Sequence, residues 1–171
     1  MENSHGKILK EKRLQSMNSK TKKLVFAALF ASLTCVATMI IKIPSPLSGY
    51  MNLGDSVVLL SGWILGPYGI LSAAVGSCLA DVFSGYLIYA PVTFVIKGLM
   101  ALVAYKMSKR VFIGAVIAEV IMAAGYYVFD GFMYGFSASL VNIPANLIQG
   151  AMGIIVGVVL LKIFKKSQIT L

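Results

Sequence analysis

Long apolar stretches alternate with short polar clusters along this chain. A helix that crosses a membrane needs about 20 predominantly apolar residues, and a shorter one serves where neighbours cover its ends. Six stretches meet this requirement, at 24–41, 53–65, 68–83, 91–105, 111–129 and 138–164. The pattern therefore predicts an all-α integral membrane protein with six transmembrane helices.

Prolines and glycines mark the predicted connections. Pro44 and Pro46 fix φ and remove backbone donors, so residues 42–52 are expected to form a loop of defined shape. A Gly-Pro pair at 66–67 predicts a turn after the short second segment. The sixth segment is long enough to cross at a tilt or with a kink near Pro144.

Composition excludes a water-soluble domain. Residues of the set AVILMFWYC make up 58% of the chain, charged residues 12%, and the mean hydropathy is +0.87, whereas a soluble domain carries about 25% charged residues. Cys35 and Cys78 lie inside apolar stretches and in no metal-binding spacing. We therefore expect neither a disulfide framework nor a metal or other cofactor.

Basic residues indicate the orientation. Of the 15 Lys and Arg, seven lie in the first 23 positions, three between 106 and 110, and three between 162 and 166. Six spans place all of these on one side, and basic residues are held on the cytoplasmic side. Both termini are therefore predicted to be cytoplasmic, with a basic extension at 1–23, a membrane domain at 24–166 and a tail at 167–171. This placement also removes nucleic acid as an explanation of the net charge of +9.

Ionisable and amide groups inside the predicted spans are the candidates for a site, because such groups are costly in lipid. Most of them map to the outer half, and Glu119 lies near mid-membrane. Asn142, Asn146 and Gln149 follow one another at i, i+4 and i+7, which places three amides on one helix face. Amides and tyrosines together suit a heteroaromatic ring with hydroxyl or amine substituents. We therefore predict a pocket for a small polar ligand entering from outside.

The outer-half candidates also have plainer structural interpretations. Asn52 or Asp55 is explained as well by an N-cap role at the second helix as by a contact with a ligand. Asp81 and Lys97 are either ligand contacts or a structural ion pair that neutralises both charges. Asp130 is expected to be solvated at the surface rather than to contact a ligand.

Three further features have structural alternatives. Glu119 is either a functional carboxyl or a protonated residue at a helix contact. The three amides either contact a ligand or join helices by hydrogen bonds, and we favour the ligand. Trp63 is expected to pack rather than to stack on a substrate.

The sequence contains no motif for ATP hydrolysis or for acid–base catalysis. It has no phosphate-binding G-x-x-x-x-G-K-[ST] loop, no G-x-S-x-G and no H-E-x-x-H, and its one histidine, His5, lies in the polar N-terminal part. We therefore expect a non-catalytic binding subunit that depends on a partner. The rival interpretation is a stand-alone facilitator or a carboxylate-dependent membrane enzyme.

Several motifs resemble those of one transporter family. They are Met51-Asn-Leu-Gly-Asp55, Leu65-Gly-Pro67, Gly76-Ser-Cys-Leu-Ala-Asp81, Ser84-Gly-Tyr86, Tyr89-Ala-Pro91 and Ile96-Lys97-Gly-Leu-Met-Ala101. Over about 24–164 the chain is similar to the substrate-binding S components of energy-coupling factor (ECF) transporters, and in particular to the pyridoxine and hydroxymethylpyrimidine branch.

The resemblance implies a six-helix subunit that binds a vitamin near the extracellular side of a bacterial plasma membrane. It also implies protein partners in the lipid bilayer and beneath it, a transmembrane coupling subunit and two cytoplasmic ATPases. The family's Ala-x-x-x-Ala docking surface on the first helix is matched here by Ala27 and Ala31. Ordinary helix packing is the alternative for this pair.

The departures from the family pattern concern the substrate. Trp63 is the one tryptophan, whereas thiamine-binding members rely on several, and the outer-half acids outnumber Lys97, which argues against a strongly anionic ligand. A small neutral or cationic ring remains, with pyridoxine and hydroxymethylpyrimidine not distinguished. The expected ligand contacts are Asn52, Asp81, Tyr86, Tyr89, Lys97, Tyr126, Asn142, Asn146 and Gln149.

Overall fold

The computed structural model describes the backbone of residues 4–167 and the side chains of residues 20–167. Its helices are, in chain order, α1 (Ser4–Ile40), α2 (Gly54–Leu65), α3 (Pro67–Phe83), α4 (Ala90–Lys106), α5 (Val111–Tyr134), α6 (Phe136–Ser139) and α7 (Ile143–Lys166). A small antiparallel hairpin, β1 (Ile43–Pro44) paired with β2 (Tyr50–Met51), joins α1 to α2. The prediction of an all-α class is confirmed apart from this hairpin, which replaces the expected loop.

The helix bounds differ from the sequence prediction at three places. α1 begins at Ser4, so the polar segment before residue 24 continues the first helix. α5 runs past Asp130 to Tyr134. A 3-10 turn, Leu140–Asn142, interrupts the predicted sixth segment, and Pro144 lies in the first turn of α7 instead of at a kink, because its missing N–H costs no hydrogen bond there. Residues 1–3 and 168–171, at the ends of the predicted extension and tail, lie outside the described residues.

Three of the described helical stretches are long and apolar enough to cross a membrane, namely Lys20–Ile40, Ser108–Tyr134 and Phe136–Lys166. α2 and α3 are apolar but shorter, with 12 and 17 residues. Large apolar side chains such as Leu29, Val120 and Ile155 are exposed on the outside of the bundle. The chain is therefore a helical membrane protein, and the count of six spans stays a prediction.

α2 lies at the centre of the bundle. Ten of its 12 residues are buried, and it packs against α1, α3, α4 and α7. At Gly62 an added Cβ would lie 2.4 Å from the carbonyl oxygen of Ala101, so only glycine permits this approach of α4. Small buried residues fill the surrounding core, among them Ala73, Ala74, Ala101, Ala104, Ala115 and Ala118. The close packing holds the first residues of α2 beneath the hairpin.

Candidate ligand-binding site

A pocket lies between the hairpin and the helix ends beneath it. It encloses about 440 Å³, space open to solvent included. The predicted ligand contacts in its lining are Asn52, Asp81, Tyr86, Tyr89, Tyr126, Asn142, Asn146 and Gln149. Residues far apart in the chain thus meet at one end of the bundle, and their role in binding stays a prediction.

Lys97 is absent from the lining and does not pair with Asp81. Its ammonium forms an ion pair with Oδ1 of Asp55, at the start of α2, and the two side chains are 4% and 0% exposed. The ammonium also lies 5.5 Å from the ring centroid of Tyr126. The Asp81–Lys97 ion pair considered above is therefore wrong, because Asp55 neutralises the lysine. The geometry gives no support to the predicted contact of Lys97 with a ligand.

Gln149 connects this ion pair to the pocket. Its Nε2 donates to Oδ2 of Asp55 at 2.6 Å, and its Oε1 accepts the backbone N–H of Asn52 at 3.0 Å. Oδ1 of Asn52 accepts the N–H of Gly54 at 2.9 Å, which satisfies one of the free donors at the start of α2. Gln149 therefore joins α7 to α2. Asn52 lines the pocket and bonds the first N–H of α2, although the N-cap position itself is Leu53 and neither Asn52 nor Asp55 occupies it.

Asn142 fastens the hairpin over the pocket. Its Oδ1 accepts the backbone N–H of Leu47 at 3.1 Å, and its Nδ2 donates to the carbonyl oxygen of Ser48 at 3.2 Å and to Oδ2 of Asp130 at 2.8 Å. The hydroxyl of Tyr89 donates to the other oxygen of Asp130 at 2.7 Å. Asp130 is 2% exposed, so the expectation that it is solvated was wrong. It anchors the side chain that holds the hairpin.

Asn146 is the amide that remains available to a ligand. It is half-buried and lines the pocket, and no hydrogen bond between described residues uses its side chain. The three amides therefore differ in their surroundings, although all three line the pocket. Asn142 and Gln149 make interhelical or hairpin contacts, and Asn146 faces open space.

Four tyrosines line the pocket in a row. The ring centroids are 4.9 Å apart for Tyr50 and Tyr86, 6.2 Å for Tyr86 and Tyr89, and 6.5 Å for Tyr89 and Tyr126. The hydroxyl of Tyr50 donates to Oδ1 of Asp81 at 2.7 Å. Burial and the Asp81 carboxylate raise the pKa of the Tyr50 hydroxyl well above its ordinary value, so this hydroxyl stays protonated and acts as a donor.

Glu119 lies at the contact of α5 and α7. Both of its carboxyl oxygens are buried and lack a hydrogen-bond partner among the described residues. An added Cβ would lie 2.7 Å from Oε1 at Gly153 and 3.3 Å from Oε2 at Gly150, so the two glycines make room for the carboxyl group. The helix-contact interpretation of Glu119 fits this position. Trp63 packs against the apolar core of the bundle, as expected.

Ala27 and Ala31 lie where α1 meets α3. Both are half-buried. The hydroxyl of Ser72 donates to the carbonyl oxygen of Ala27 at 2.8 Å, and an added Cβ at Gly76 would lie 2.3 Å from the carbonyl oxygen of Ala31. Helix packing, the alternative given above, is present here, and docking of a partner stays a prediction.

The sequence analysis did not select six residues of the lining. They are Ser45, Ser48, Gly49, Tyr50, Thr93 and Asp130. For Thr93 a signal was present, because it follows Tyr89 by four residues and therefore shares its helix face. The sequence contained no spacing that would select the hairpin residues as part of the lining, because their position depends on how the hairpin folds over the helix ends. The described residues contain no group of three His, Cys, Asp or Glu side chains that could hold a metal ion.

Comparison with known proteins gives the family. A family model, the S component of the ECF-type riboflavin transporter, matches residues 18–166. This protein therefore belongs to that family of membrane transporter subunits. The resemblance to ECF S components is thereby confirmed at the level of the family.

Two relatives are similar over most of the chain. One is an uncharacterised protein of Pyrococcus woesei, 36% identical over 139 residues that cover 77% of this chain and 93% of the relative. The other is the thiamine precursor transporter HmpT of Lactococcus lactis subsp. cremoris (strain MG1363), 25% identical over 163 residues that cover 89% of this chain and 93% of the relative. With its apolar helices, the chain is a multi-pass membrane protein that takes part in transport.

Proposed function

We propose that this protein is the substrate-binding subunit of an ECF-type importer and captures a small water-soluble heteroaromatic vitamin or precursor. The observation that carries the proposal is the pocket beneath the hairpin, where a row of tyrosines meets amide and carboxylate side chains. Aromatic faces stack on a flat ring, and a few placed polar groups orient it. Membership of the ECF family supports the transport role.

We propose six membrane spans, formed by α1 to α5 and α7, with both termini in the cytoplasm. The exposed basic residues of the loop Ser108–Arg110 and of the end of α7 lie at the ends of helices remote from the hairpin. Because basic residues are held on the cytoplasmic side, the hairpin and the pocket face outwards. A ligand then enters from outside the cell membrane, which we propose is a bacterial plasma membrane.

The substrate we propose is a single ring of the pyridoxine or hydroxymethylpyrimidine type. The relative named as a thiamine precursor transporter supports a small precursor. The family description names riboflavin, which is a larger ligand and the competing candidate.

The proposed partners are a transmembrane coupling subunit and two cytoplasmic ATPases. Residues 1–171 contain no phosphate-binding loop for ATP, so hydrolysis has to come from the partners. We propose that the coupling subunit docks along α1 at Ala27 and Ala31. Both are small and half-buried, and they lie on α1 towards the end remote from the pocket.

Mass spectrometry of small molecules released from the purified protein tests the substrate. We expect a one-ring heteroaromatic vitamin or precursor at about one molecule per chain. Release of riboflavin would refute the one-ring proposal and leave the transport role intact.

Uptake of the released compound in cells with and without an ECF coupling module tests the transport role. We expect uptake only with the module, and loss of uptake on ATP depletion. Uptake without the module and independent of ATP would favour a stand-alone facilitator. Chemical conversion of the compound by the purified chain would favour an enzyme.

A further inference from the structure

We propose that the pocket binds its ligand as a cation, with a protonated amine or ring nitrogen facing the Asp81 carboxylate as counter-ion. The inference rests on the proposed function, because it specifies the ligand of the same pocket. The sequence analysis left the ligand ring as neutral or cationic. The present inference specifies a cationic ligand and names Asp81 as the residue that recognises its charge.

The charge of the lining is the first observation. The lining contains two carboxylates, Asp81 and Asp130, and no Lys, Arg or His. The buried Lys97 is engaged by Asp55. Lys42 is exposed outside the lining, where its ammonium donates to the hydroxyl of Ser84 at 3.1 Å. The pocket is therefore acidic, and an anionic ligand such as a phosphate ester would meet like charge.

The two carboxylates of the lining have different surroundings. Both oxygens of Asp130 accept hydrogen bonds, from Tyr89 and from Asn142. For Asp81 a hydrogen bond is found at one oxygen, Oδ1, which accepts the hydroxyl of Tyr50 at 2.7 Å.

Asp81 is also shielded from water, since it is 6% exposed. A buried carboxylate without a cation is costly. A cationic group in the pocket would offset that cost, and Asp81 is positioned to receive it.

The tyrosine row is the second, independent observation. Ring faces attract cations, and a desolvated site strengthens the attraction. Tyr126 already has the Lys97 ammonium 5.5 Å from its ring centroid, so a positive charge is compatible with this wall. Tyrosine rings and a carboxylate in one lining together suit a flat ring that carries a positive charge.

Two matched ligand series test the inference on the purified full-length protein. The first is pyridoxamine, pyridoxine and 4-pyridoxic acid, which carry an ammonium, a hydroxyl and a carboxylate at one position of the same ring. The second series consists of three compounds that carry the same three groups, one in each compound, at one position of the hydroxymethylpyrimidine ring. Titration calorimetry should give tighter binding of the ammonium member than of the carboxylate member, by at least about tenfold, because a hydrogen bond to a charged group is the stronger kind.

Asp81→Asn keeps an acceptor for Tyr50 and removes the charge. In this variant the ratio of the two dissociation constants should fall to within about twofold. Asp130→Asn is the matched control, and it should weaken all members by a similar factor and keep the ratio. No preference for the ammonium member in the wild type, or a ratio that survives in Asp81→Asn, would overturn the inference.

A second measurement covers the case in which no member of either series binds. That result would refute the heteroaromatic ligand of the proposed function, and the Tm of the ligand-free protein then decides the charge inference. Asp81→Asn should raise the Tm, because it removes a buried charge that accepts a hydrogen bond at one oxygen. Asp130→Asn should lower the Tm, because both oxygens of Asp130 accept hydrogen bonds and the amide nitrogen of the variant cannot accept the second one. A lower Tm for Asp81→Asn would show that the carboxylate is a structural partner and would overturn the inference.

Discussion

Asp55 and Asp81 are two buried carboxylates near the same end of the bundle, 0% and 6% exposed. Asp55 pairs with the Lys97 ammonium and accepts a hydrogen bond from Gln149. Asp81 lines the pocket and accepts a hydrogen bond from the neutral hydroxyl of Tyr50. A charged residue in a membrane helix indicates function by default, yet here the same signal marks one structural and one candidate binding group. The partners of each carboxylate make the difference.

The comparison extends to the amides of the last helix. Gln149 belongs with Asp55, because both polar atoms of its side chain make hydrogen bonds that join α7 to the start of α2. Asn146 belongs with Asp81, because its side chain faces the pocket. Asp55 and Gln149 therefore form a supporting layer whose polar groups are paired, and Asp81 and Asn146 belong to a pocket layer where we propose that a ligand binds. The following predictions separate the two layers by experiment.

Breaking the Asp55–Lys97 pair should have the largest effect. Asp55→Asn or Lys97→Met strands one buried charge, which costs about 3 to 5 kcal/mol of folding free energy. Thermal unfolding of the purified protein and the yield of monodisperse protein measure the loss. The double variant Asp55→Asn with Lys97→Met should recover most of it.

The matched control for that recovery is Asp81→Asn with Lys97→Met. This combination also removes one acidic and one basic charge. Asp55 then has lost its Lys97 partner and remains as an unpaired buried charge, so the Tm should stay low. Recovery by this combination, and not by the first, would show that Lys97 depends on Asp81 instead.

Gln149→Leu should have an intermediate effect on both stability and binding. It leaves the N–H of Asn52 and one oxygen of Asp55 without a partner, and an unsatisfied buried group costs about 1 to 3 kcal/mol. A lower Tm and a weaker affinity in titration calorimetry are expected together. A wild-type Tm would place Gln149 with the ligand contacts instead of the supporting layer.

Asn146→Leu should weaken binding alone. Its side chain has no hydrogen-bond partner among the described residues, so the Tm of the ligand-free protein should not change. A ligand that bonds the amide should lose about 1 to 3 kcal/mol of binding free energy. If affinity is unchanged while the Tm falls, Asn146 belongs to the supporting layer and the division of the amides is wrong.

Ala27→Trp should have the smallest effect on the pocket. A bulky side chain here blocks the proposed approach of the coupling subunit, so uptake in cells should be abolished, whereas ligand affinity should change by less than about twofold. Ala28→Trp, on the neighbouring exposed face of α1, is the control and should leave both unchanged. Loss of affinity in Ala27→Trp would assign this face to core packing with α3.

The local sequence pattern was enough to predict the helices and to select the candidate site residues. Uninterrupted apolar stretches predicted the helices within a few residues at α2, α3 and α4, because each helix reflects its own composition. The i, i+4, i+7 spacing selected Asn142, Asn146 and Gln149, and all three line the pocket, with Asn142 in the 3-10 turn before α7. Motifs within 51–101 also indicated the ECF family, which the family model confirmed over residues 18–166.

Pairing between distant residues needed the tertiary structure. Asp55 and Lys97 are 42 positions apart, and Asn52 and Gln149 are 97 apart. No local period relates such residues, so the sequence analysis considered Asp81 as the ion-pair partner of Lys97 and considered Asp55 only as an N-cap or a ligand contact. The hairpin shows the same limit, since Asn142 holds Leu47 from 95 positions away. Spacing along a helix sets which side chains share a face, but only the packing of helices around α2 decides which charge is neutralised and which is left facing the pocket.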